Sequence, residues 1–399
     1  MTGRNNIDGH FYIGLMSGTS MDGVDGVLAH IPRNHDTGSI TLAAALHIAF
    51  EERLRQQLMS LQTVGDNEIE REALAANALV HVYAECVSAL LDRADMSSFM
   101  VTAIGAHGQT VRHHPEKGYT RQINNPALLA EMTGIDVIAD FRARDVAAGG
   151  QGAPLVPAFH GALFGSSGKN RAVVNIGGIA NISVLDACAI KTGFDTGPGN
   201  VLMDSWIGRN RDQPFDEGGK WARSGHISQS LLSRLLQEPY LGRLPPKSTG
   251  RDLFNDEWLD RILSSASVFM ELPAEDVQAT LCAFTAATIA DALFLHARTS
   301  TEVLLCGGGA RNTFLVELLG KMLQERMPEV AVLTVSEYGI DPTHVEALAF
   351  AWLAHCFTNR LPGNVPQVTG APGPRVLGAL YPAGTGVEQG LILQGRESP

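Results

Sequence analysis

Two stretches of this chain, Tyr12–Ile31 and Arg171–Asp186, share one layout: an apolar strand, a polar turn containing glycine, and a second apolar strand. A third strand candidate follows each of them, Ser39–His47 in the first half and Ala189–Phe194 in the second. A hairpin start that recurs once, half a chain apart, predicts two related lobes and not a short-period solenoid. The remainder alternates strand and helix patterns. In the first half, Glu51–Leu61 places Leu54, Leu58 and Leu61 on one helical face. Asn67-x-x-Glu70 predicts a capping box opening a helix to about Asp95, with Ala73, Val80, Val87 and Leu91 among its apolar positions. Val101–His107 and Ile135–Asp140 read as strands, each leading into a polar loop: Gly108–Pro115 after the first, and a segment with Arg142, Arg144 and Asp145 after the second. In the second half, helices dominate from Ser228 to Ala297, including Glu257–Ser264 and one begun by Pro273. Strand Thr301–Cys306, a helix from about Asn312 to Arg326, strand Val330–Val335 and a last helix capped by Asp341-Pro342 complete the pattern. Such alternation predicts an α/β protein with mixed sheets and a ligand cleft between lobes.

A chain of 399 residues exceeds what one hydrophobic core usually serves. The Gly- and Pro-dense segment Gly149–Pro157 marks the junction, so residues 1–150 are expected to form the N-terminal lobe and 151–399 the C-terminal lobe. The tail after Leu361 is either pattern-poor coil or packed back on the first lobe. A net charge of −12 argues against nucleic acid or an anionic membrane as the main partner. The five cysteines have no metal-ligand spacing and read as reduced core residues of a cytoplasmic protein. Met1–Asp8 lacks the apolar run of a signal peptide, and the apolar stretch Leu281–Ala297 reads as a core helix and not as a membrane span.

Three Gly-rich loops each follow an apolar strand: Ser17–Asp25, Asn175–Asn181 and Gly307–Asn312. None is a Walker loop or a dinucleotide fingerprint. Glycine lets backbone N–H groups approach an anion, and serine and threonine add hydroxyl donors. Asp22 and Asp25 would repel a bare phosphate, so the first loop suits a metal-bound polyphosphate; an ordinary polar hairpin is the plainer alternative. In Phe194-Asp-Thr-Gly-Pro-Gly-Asn200, Asp195 ends an apolar strand, where it either serves as a general base or caps the helix that follows. His107, His113 and His114 lack metal-site spacing, leaving substrate hydrogen bonding by His107 and Gln109, or simple loop polarity. Asp140, Arg142 and Asp145 form either a salt-bridged loop or a polar ligand site. Glu346 is either a charge favoured by the helix dipole or a cleft carboxylate.

The motifs Gly14-Leu-Met-Ser-Gly-Thr-Ser-Met-Asp-Gly-Val-Asp25, Gly105-Ala-His-Gly-Gln-Thr110, Gln122-Ile-Asn124, Ile138-Ala-Asp-Phe-Arg142, Asn175-Ile-Gly-Gly-Ile-Ala-Asn181, Phe194–Asn200, Cys306-Gly-Gly-Gly-Ala-Arg-Asn312 and Val345–Trp352 stand in one order over nearly the whole chain. Together they resemble the anhydro-N-acetylmuramic acid kinase family, within the larger group of hexokinase, actin and chaperone ATPases. The resemblance implies a two-lobed, duplicated ribonuclease-H-like fold with ATP and Mg²⁺ in the cleft. It assigns the phosphates to Gly18, Thr19, Ser20, Met21, Asp22, Gly23, Val24 and Asp25 in the first loop and to Asn175, Gly177 and Gly178 in the second. It assigns the adenosine to Gly307, Gly308, Gly309 and Asn312. The wider group usually carries an acid two residues before the first loop's glycine. Met16 stands there, so the metal-side carboxylate must come from elsewhere; Asp22 is the candidate, with Asp25 the alternative.

The implied substrate is the amino sugar 1,6-anhydro-N-acetylmuramic acid, and a homodimer is implied as well. In that sugar O6 is tied to C1 and is not free to attack ATP. Water must attack C1 while O6 leaves and takes the γ-phosphate. The resemblance therefore makes Asp195 the base for that water and places His107, Gln109, Asp140, Arg142 and Glu346 around the sugar. The alternatives are an ATPase of the same fold without a sugar substrate and a glycosidase without ATP.

Overall fold

The computed structural model describes residues 9–18, 21–33, 40–165, 168–187 and 189–384. The first sheet contains β1 (Gly9–Met16), β2 (Gly23–Pro32), β3 (Thr41–Ala49) and β4 (Val101–Ala106), with a separate ribbon of β5 (Gln109–His114) and β6 (Tyr119–Ile123) before β7 (Val137–Ala139). The second contains β8 (Arg171–Ile176), β9 (Ile179–Asp186), β10 (Ala189–Pro198), β11 (Glu302–Cys306) and β12 (Ala331–Thr334). A late strand, β13 (Ala379–Tyr381), returns to pair antiparallel with β7.

The strand orders are β13-β7-β4-β1-β2-β3 and β10-β9-β8-β11-β12. In each, three antiparallel strands run in sequence and the first of them also takes a parallel neighbour, β4 beside β1 and β11 beside β8. A second parallel strand continues each sheet. This is one ribonuclease-H-like sheet built twice, as the repeated hairpin predicts. Each sheet has its own core, and a third cluster lies between them, joining Tyr12, Met16 and Val27 of the first to Val173 and Leu304 of the second. Its centre is the Val345–Thr358 helix, apolar on every side and buried accordingly. Among the described residues, two helices are long and apolar enough to cross a membrane, Glu68–Arg93 and Ala274–His296. The second is a core helix, with 83% of its apolar window buried.

Several local expectations are corrected. Asn67 adopts a left-handed φ of 52° and makes no cap bond to the backbone; its amide turns to the Glu70 carboxylate, so no capping box forms. The buried stripe of that helix is Ala75, Ala76, Leu79, Val80, Tyr83, Cys86, Val87 and Leu90, while Ala73 is exposed. Gly108–Pro115 is mostly strand β5, because its polar side chains line a ribbon paired with β6. Arg142 and Asp145 lie on a helix, Phe141–Ala147. Strand β10 runs past Phe194 to Pro198. Asp341 caps a short 3-10 turn, accepting from the Thr343 N–H at 3.0 Å, and the long helix begins only at Val345.

Asp145 explains how the Gly149–Gly152 segment is held. Fully buried, it accepts from the Gly152 N–H at 2.8 Å, the Asn364 amide at 2.7 Å and the Thr369 hydroxyl at 2.8 Å. The Gln151 N–H adds a bond to the Thr369 carbonyl at 2.7 Å. The tail after Leu361 is therefore a strap across the Gly149–Gly152 segment. Asp145→Ala strands three buried donors, and at 1–3 kcal/mol for each unmade bond a loss of roughly 3 kcal/mol or more is expected in urea unfolding. Asp145→Asn, which keeps an acceptor, should fall between it and the parent.

Candidate functional site

The site begins with two glycines that face each other in register on β1 and β4, Gly14 and Gly105. A Cβ on Gly14 would stand 1.9 Å from the Ala347 carbonyl oxygen, and one on Gly105 would stand 2.1 Å from that of Phe350. The pair makes a bare floor on which the Val345–Thr358 helix lies backbone to backbone. That contact carries Glu346, in the helix's first turn, into the cleft beside Asn175 at the end of β8. Burial pushes the Glu346 carboxyl up and Asp25 adds to this, while Arg142 and Asn175 pull it back. Glu346 thus keeps its place in the helix's first turn and is also in the field of Arg142 and Asp25.

Asp195 sits within β10, 8% exposed. Its N–H donates to the Lys247 carbonyl at 3.3 Å, its carbonyl accepts from the Tyr240 hydroxyl at 2.8 Å, and its Oδ2 accepts from the Thr249 N–H at 3.0 Å. Burial raises the carboxyl to about 7; the Thr249 N–H, Arg142 and Lys247 oppose the rise. The helix-cap alternative is excluded, because Asn200 holds the N-cap position of the Val201–Arg211 helix. The Thr285 hydroxyl fixes the intervening turn through the Pro198 and Gly199 carbonyls at 3.1 and 2.8 Å.

Arg142 binds from the first lobe. Its Nε donates to His107 Nε2 at 3.0 Å and its Nη1 to the Gly152 carbonyl at 2.8 Å. A guanidinium can only donate, so His107 must accept at Nε2 and remain neutral. Burial and Arg142 both hold its pKa well below the usual value. The charges of Asp195 and Glu346 both act on Arg142, so the sequence-predicted Arg142, His107, Asp195 and Glu346 converge. Gln109 serves the first loop, donating to the Gly18 carbonyl at 3.1 Å. Ser17 is tied to the Tyr83 hydroxyl at 2.7 Å. Asp140 takes a left-handed φ of 60°; desolvation raises its carboxyl and Arg121 opposes the shift. Asp145 is absorbed by the strap.

The three loops are unequal. In the first, Thr19 and Ser20 lie outside the described residues. Met21 is buried at φ 54°, and Asp22 is exposed, its carbonyl accepting from the Phe50 N–H at 2.9 Å. Gly23, Val24 and Asp25 already belong to β2. Val24 points into the core, and Asp25 meets His47 Nδ1 at 2.9 Å. In the second loop, the Gly177 carbonyl accepts from the Asn200 N–H at 2.8 Å, and the Gly178 carbonyl accepts from the Gly199 and Val201 N–H groups at 2.9 and 3.1 Å. The third packs against it: Gly307, at φ 80°, leaves its would-be Cβ 2.5 Å from Asn175 Oδ1. Gly308 and Gly309 form a 3-10 turn, and Asn312 Oδ1 caps the next helix through the Leu315 N–H at 3.0 Å.

Among the described residues no group of three or more His, Cys, Asp or Glu is placed to hold a metal ion. Mg²⁺ needs no such cage, since it takes one or two carboxylates plus phosphate oxygens and water. Exposed Asp22 fits that role. A second carboxylate nearby, Asp204 on the Val201–Arg211 helix, escaped the sequence reading. Burial raises it to about 7, Asp22 and Asp216 add to the shift, and Arg251 opposes it. Also missed were Tyr240, Lys247, Thr249 and Arg251. Pro245-Pro-Lys-Ser-Thr-Gly-Arg251 carries the Gly/Pro punctuation and positive charge that would have marked it as a candidate loop.

A family model described as anhydro-N-acetylmuramic acid kinase matches residues 10–383. The anhydro-N-acetylmuramic acid kinase of Paraburkholderia xenovorans is 55% identical over 372 residues, covering 93% of this chain and 97% of that one. That of Burkholderia pseudomallei is 53% identical over 397 residues, covering 96% and 100%. That of Cupriavidus metallidurans is 53% identical over 378 residues, covering 93% and 97%.

Proposed function

The chain belongs to the anhydro-N-acetylmuramic acid kinase family, and from that premise we propose that it opens the anhydro ring of 1,6-anhydro-N-acetylmuramic acid and phosphorylates O6 with ATP, giving N-acetylmuramic acid 6-phosphate and ADP. The observation that carries this reading beyond the family name is Asp195. It is a buried carboxyl raised to about 7, held by a backbone N–H, with Arg142 and Lys247 in its field. A group with that pKa can take a proton near neutral pH.

The reaction needs one such base. Water attacks C1 and gives its proton to Asp195. The C1–O6 bond breaks with its electron pair on O6, and O6 bonds to the γ-phosphorus as the bond to ADP breaks. Arg142 and Glu346 orient the sugar, with His107 holding Arg142 and Asp140 as a further contact. Gln109 acts indirectly, by holding Gly18. Gly18–Asp25, Asn175, Gly177 and Gly178 are assigned to the phosphates, and Gly307–Gly309 with Asn312 to the adenosine. For Val24 and Asn312 any contact is through backbone or, for Asn312, the amide. Mg²⁺, held through Asp22, would neutralise charge on the phosphates.

We place the lobe boundary near residue 150 and the working protein in the cytoplasm as a homodimer, with neither nucleic acid nor membrane as partner. The net charge of −12 and the buried free thiols among the described cysteines support this placement. The homodimer rests on the family alone.

The test is incubation with ATP, Mg²⁺ and the anhydro-sugar, with products weighed by mass spectrometry. The 6-phosphate and ADP are expected in equal amounts, and in ¹⁸O-water the label should enter at C1 and not in the phosphate. ADP without sugar product would indicate a bare ATPase. Opened sugar without phosphate would indicate a glycosidase.

A further inference from the structure

We propose that Arg251 grips the oxygens of the phosphoryl group in transfer: its loop is bonded to Asp195 and, among the described residues, no acceptor takes its buried Nε–H. The inference rests on the kinase reading above and adds the residue that receives the charge developing at phosphorus.

The backbone around Arg251 is fixed from both sides. Upstream, the Asp195 N–H meets the Lys247 carbonyl at 3.3 Å and the Thr249 N–H meets Asp195 Oδ2 at 3.0 Å, so this segment is bonded twice to the one residue. Downstream, the Asn255 amide donates to the Arg251 carbonyl at 3.0 Å, at the start of the Asp256–Leu263 helix. Arg251 therefore cannot wander relative to Asp195.

Its side chain is charged but unspent. The Nε is buried without a hydrogen-bond partner. Asp204 and Asp256 on its own lobe, and Asp22 and Arg55 across the cleft, act on it as fields and not as bonded partners. The two cations whose charges act on Asp195 are already committed: Arg142 donates to His107 and the Gly152 carbonyl, and Lys247 Nζ donates to the Tyr240 and Leu241 carbonyls at 3.4 and 3.0 Å. A buried N–H left unmade is costly, which favours an acceptor supplied by a ligand. The planar guanidinium fork matches phosphoryl oxygens. The position also fits the reaction. The charge of Asp22 in the first loop acts on Arg251 while Lys247 and Thr249 of its own loop bond Asp195, which links it to both the nucleotide end and the water end of the proposed site. As O6 bonds to the γ-phosphorus and the bond to ADP breaks, negative charge spreads over the three equatorial oxygens, and fixed donors there act mainly on the transition state.

Arg251→Ala, Arg251→Lys and Arg251→Met test this in the full-length protein. The Ala and Met variants are expected to lose about 10²–10³-fold in kcat, the scale of one transition-state donor. Affinity for a non-hydrolysable ATP analogue with Mg²⁺ should change by no more than ~3-fold, as for a group that acts in the transition state and not in ground-state binding. Lysine, with the charge but not the fork, should leave the rate at least ~10-fold down. Added guanidinium should partly restore the Ala variant, which a structural counterion role would not produce. Melting temperatures near the parent's keep these readings interpretable, and Met preserves packing if Ala does not fold.

A kcat within about fivefold of the parent in both Ala and Met would overturn the inference. So would full activity in the Lys variant, or a loss of analogue affinity as large as the loss of rate. Failure of the kinase reading looks different, because the parent protein itself would then form no 6-phosphate.

Discussion

Asp195→Asn is expected to abolish sugar turnover, by at least ~10³-fold, within the range of a lost general base. Binding of an ATP analogue should stay near the parent's. The amide is almost isosteric and its oxygen can still accept from the Thr249 N–H now 3.0 Å away. What it cannot do is take a proton from water. In the parent, kcat/KM should fall about tenfold per pH unit below the apparent pKa of about 7, because only the carboxylate is competent. Stability moves the other way. An unfolded aspartate ionises near 3.8, whereas the folded Asp195 keeps its proton to about 7. Between those values the folded state binds the extra proton, so stability falls as pH rises, and above about 7 the whole cost is present. Asn carries no such cost. The inactive variant should therefore be more stable than the parent at pH 8, on the order of a few kcal/mol, and no more stable at pH 4. Calorimetric melting at the two pH values reads this directly. An unchanged rate would move the base to Glu346, whose carboxyl is also raised by burial. A lower melting temperature at pH 8 would contradict the strained-carboxyl account.

The duplication was readable because a hairpin is a local object. Apolar runs, a glycine turn and strand length all lie within twenty residues, and their recurrence survives any error in boundaries. Asp195 and the three loops stood out for the same reason, each being unusual punctuation beside an apolar run, although β10 continues past Asp195 to Pro198. The misses share a different cause. The Gln109–His114 strand looked like a loop because its pairing partner, Tyr119–Ile123, satisfies backbone groups that polar side chains do not advertise. Asp145 stayed open between a salt-bridged loop and a ligand site because its three donors come from Gly152 and from positions more than 200 residues away, Asn364 and Thr369. Thr249 acts on Asp195 through a backbone N–H, which no side-chain pattern encodes. Asn67 shows the reverse case: a correct capping motif whose backbone, at φ 52°, turns away from the cap.

The glycines in the two opening motifs carry a meaning that loop chemistry alone would not suggest, and Gly14→Ala should expose it. Gly14 lies in β1, away from the phosphate turn, and is filled by another element: its Cβ would stand 1.9 Å from the Ala347 carbonyl oxygen and 2.6 Å from the Ala351 nitrogen. Both are backbone atoms of a helix and cannot rotate aside. The helix or the strand must give by about 1.5 Å to reach ordinary contact. Overpacking on this scale costs up to ~3 kcal/mol or somewhat more, and the displacement is delivered to Glu346, one residue from the clash. A site moved by about 1 Å can lose ~10²-fold in rate. We therefore expect Gly14→Ala to lose both stability in urea and kcat, although the residue touches no ligand. Gly105, on the neighbouring strand β4, would place its Cβ 2.1 Å from the Phe350 carbonyl oxygen of the same helix, so Gly105→Ala should behave alike. The double variant should cost less than the sum, because one displacement of the helix relieves both clashes. Gly320→Ala is the control: it lies in the Thr313–Arg326 helix with nothing within 4 Å of the added Cβ. It should stabilise by about 0.5–1 kcal/mol with no change in rate. If Gly14→Ala matched that control, the glycine floor would not be what sets Glu346 in the cleft.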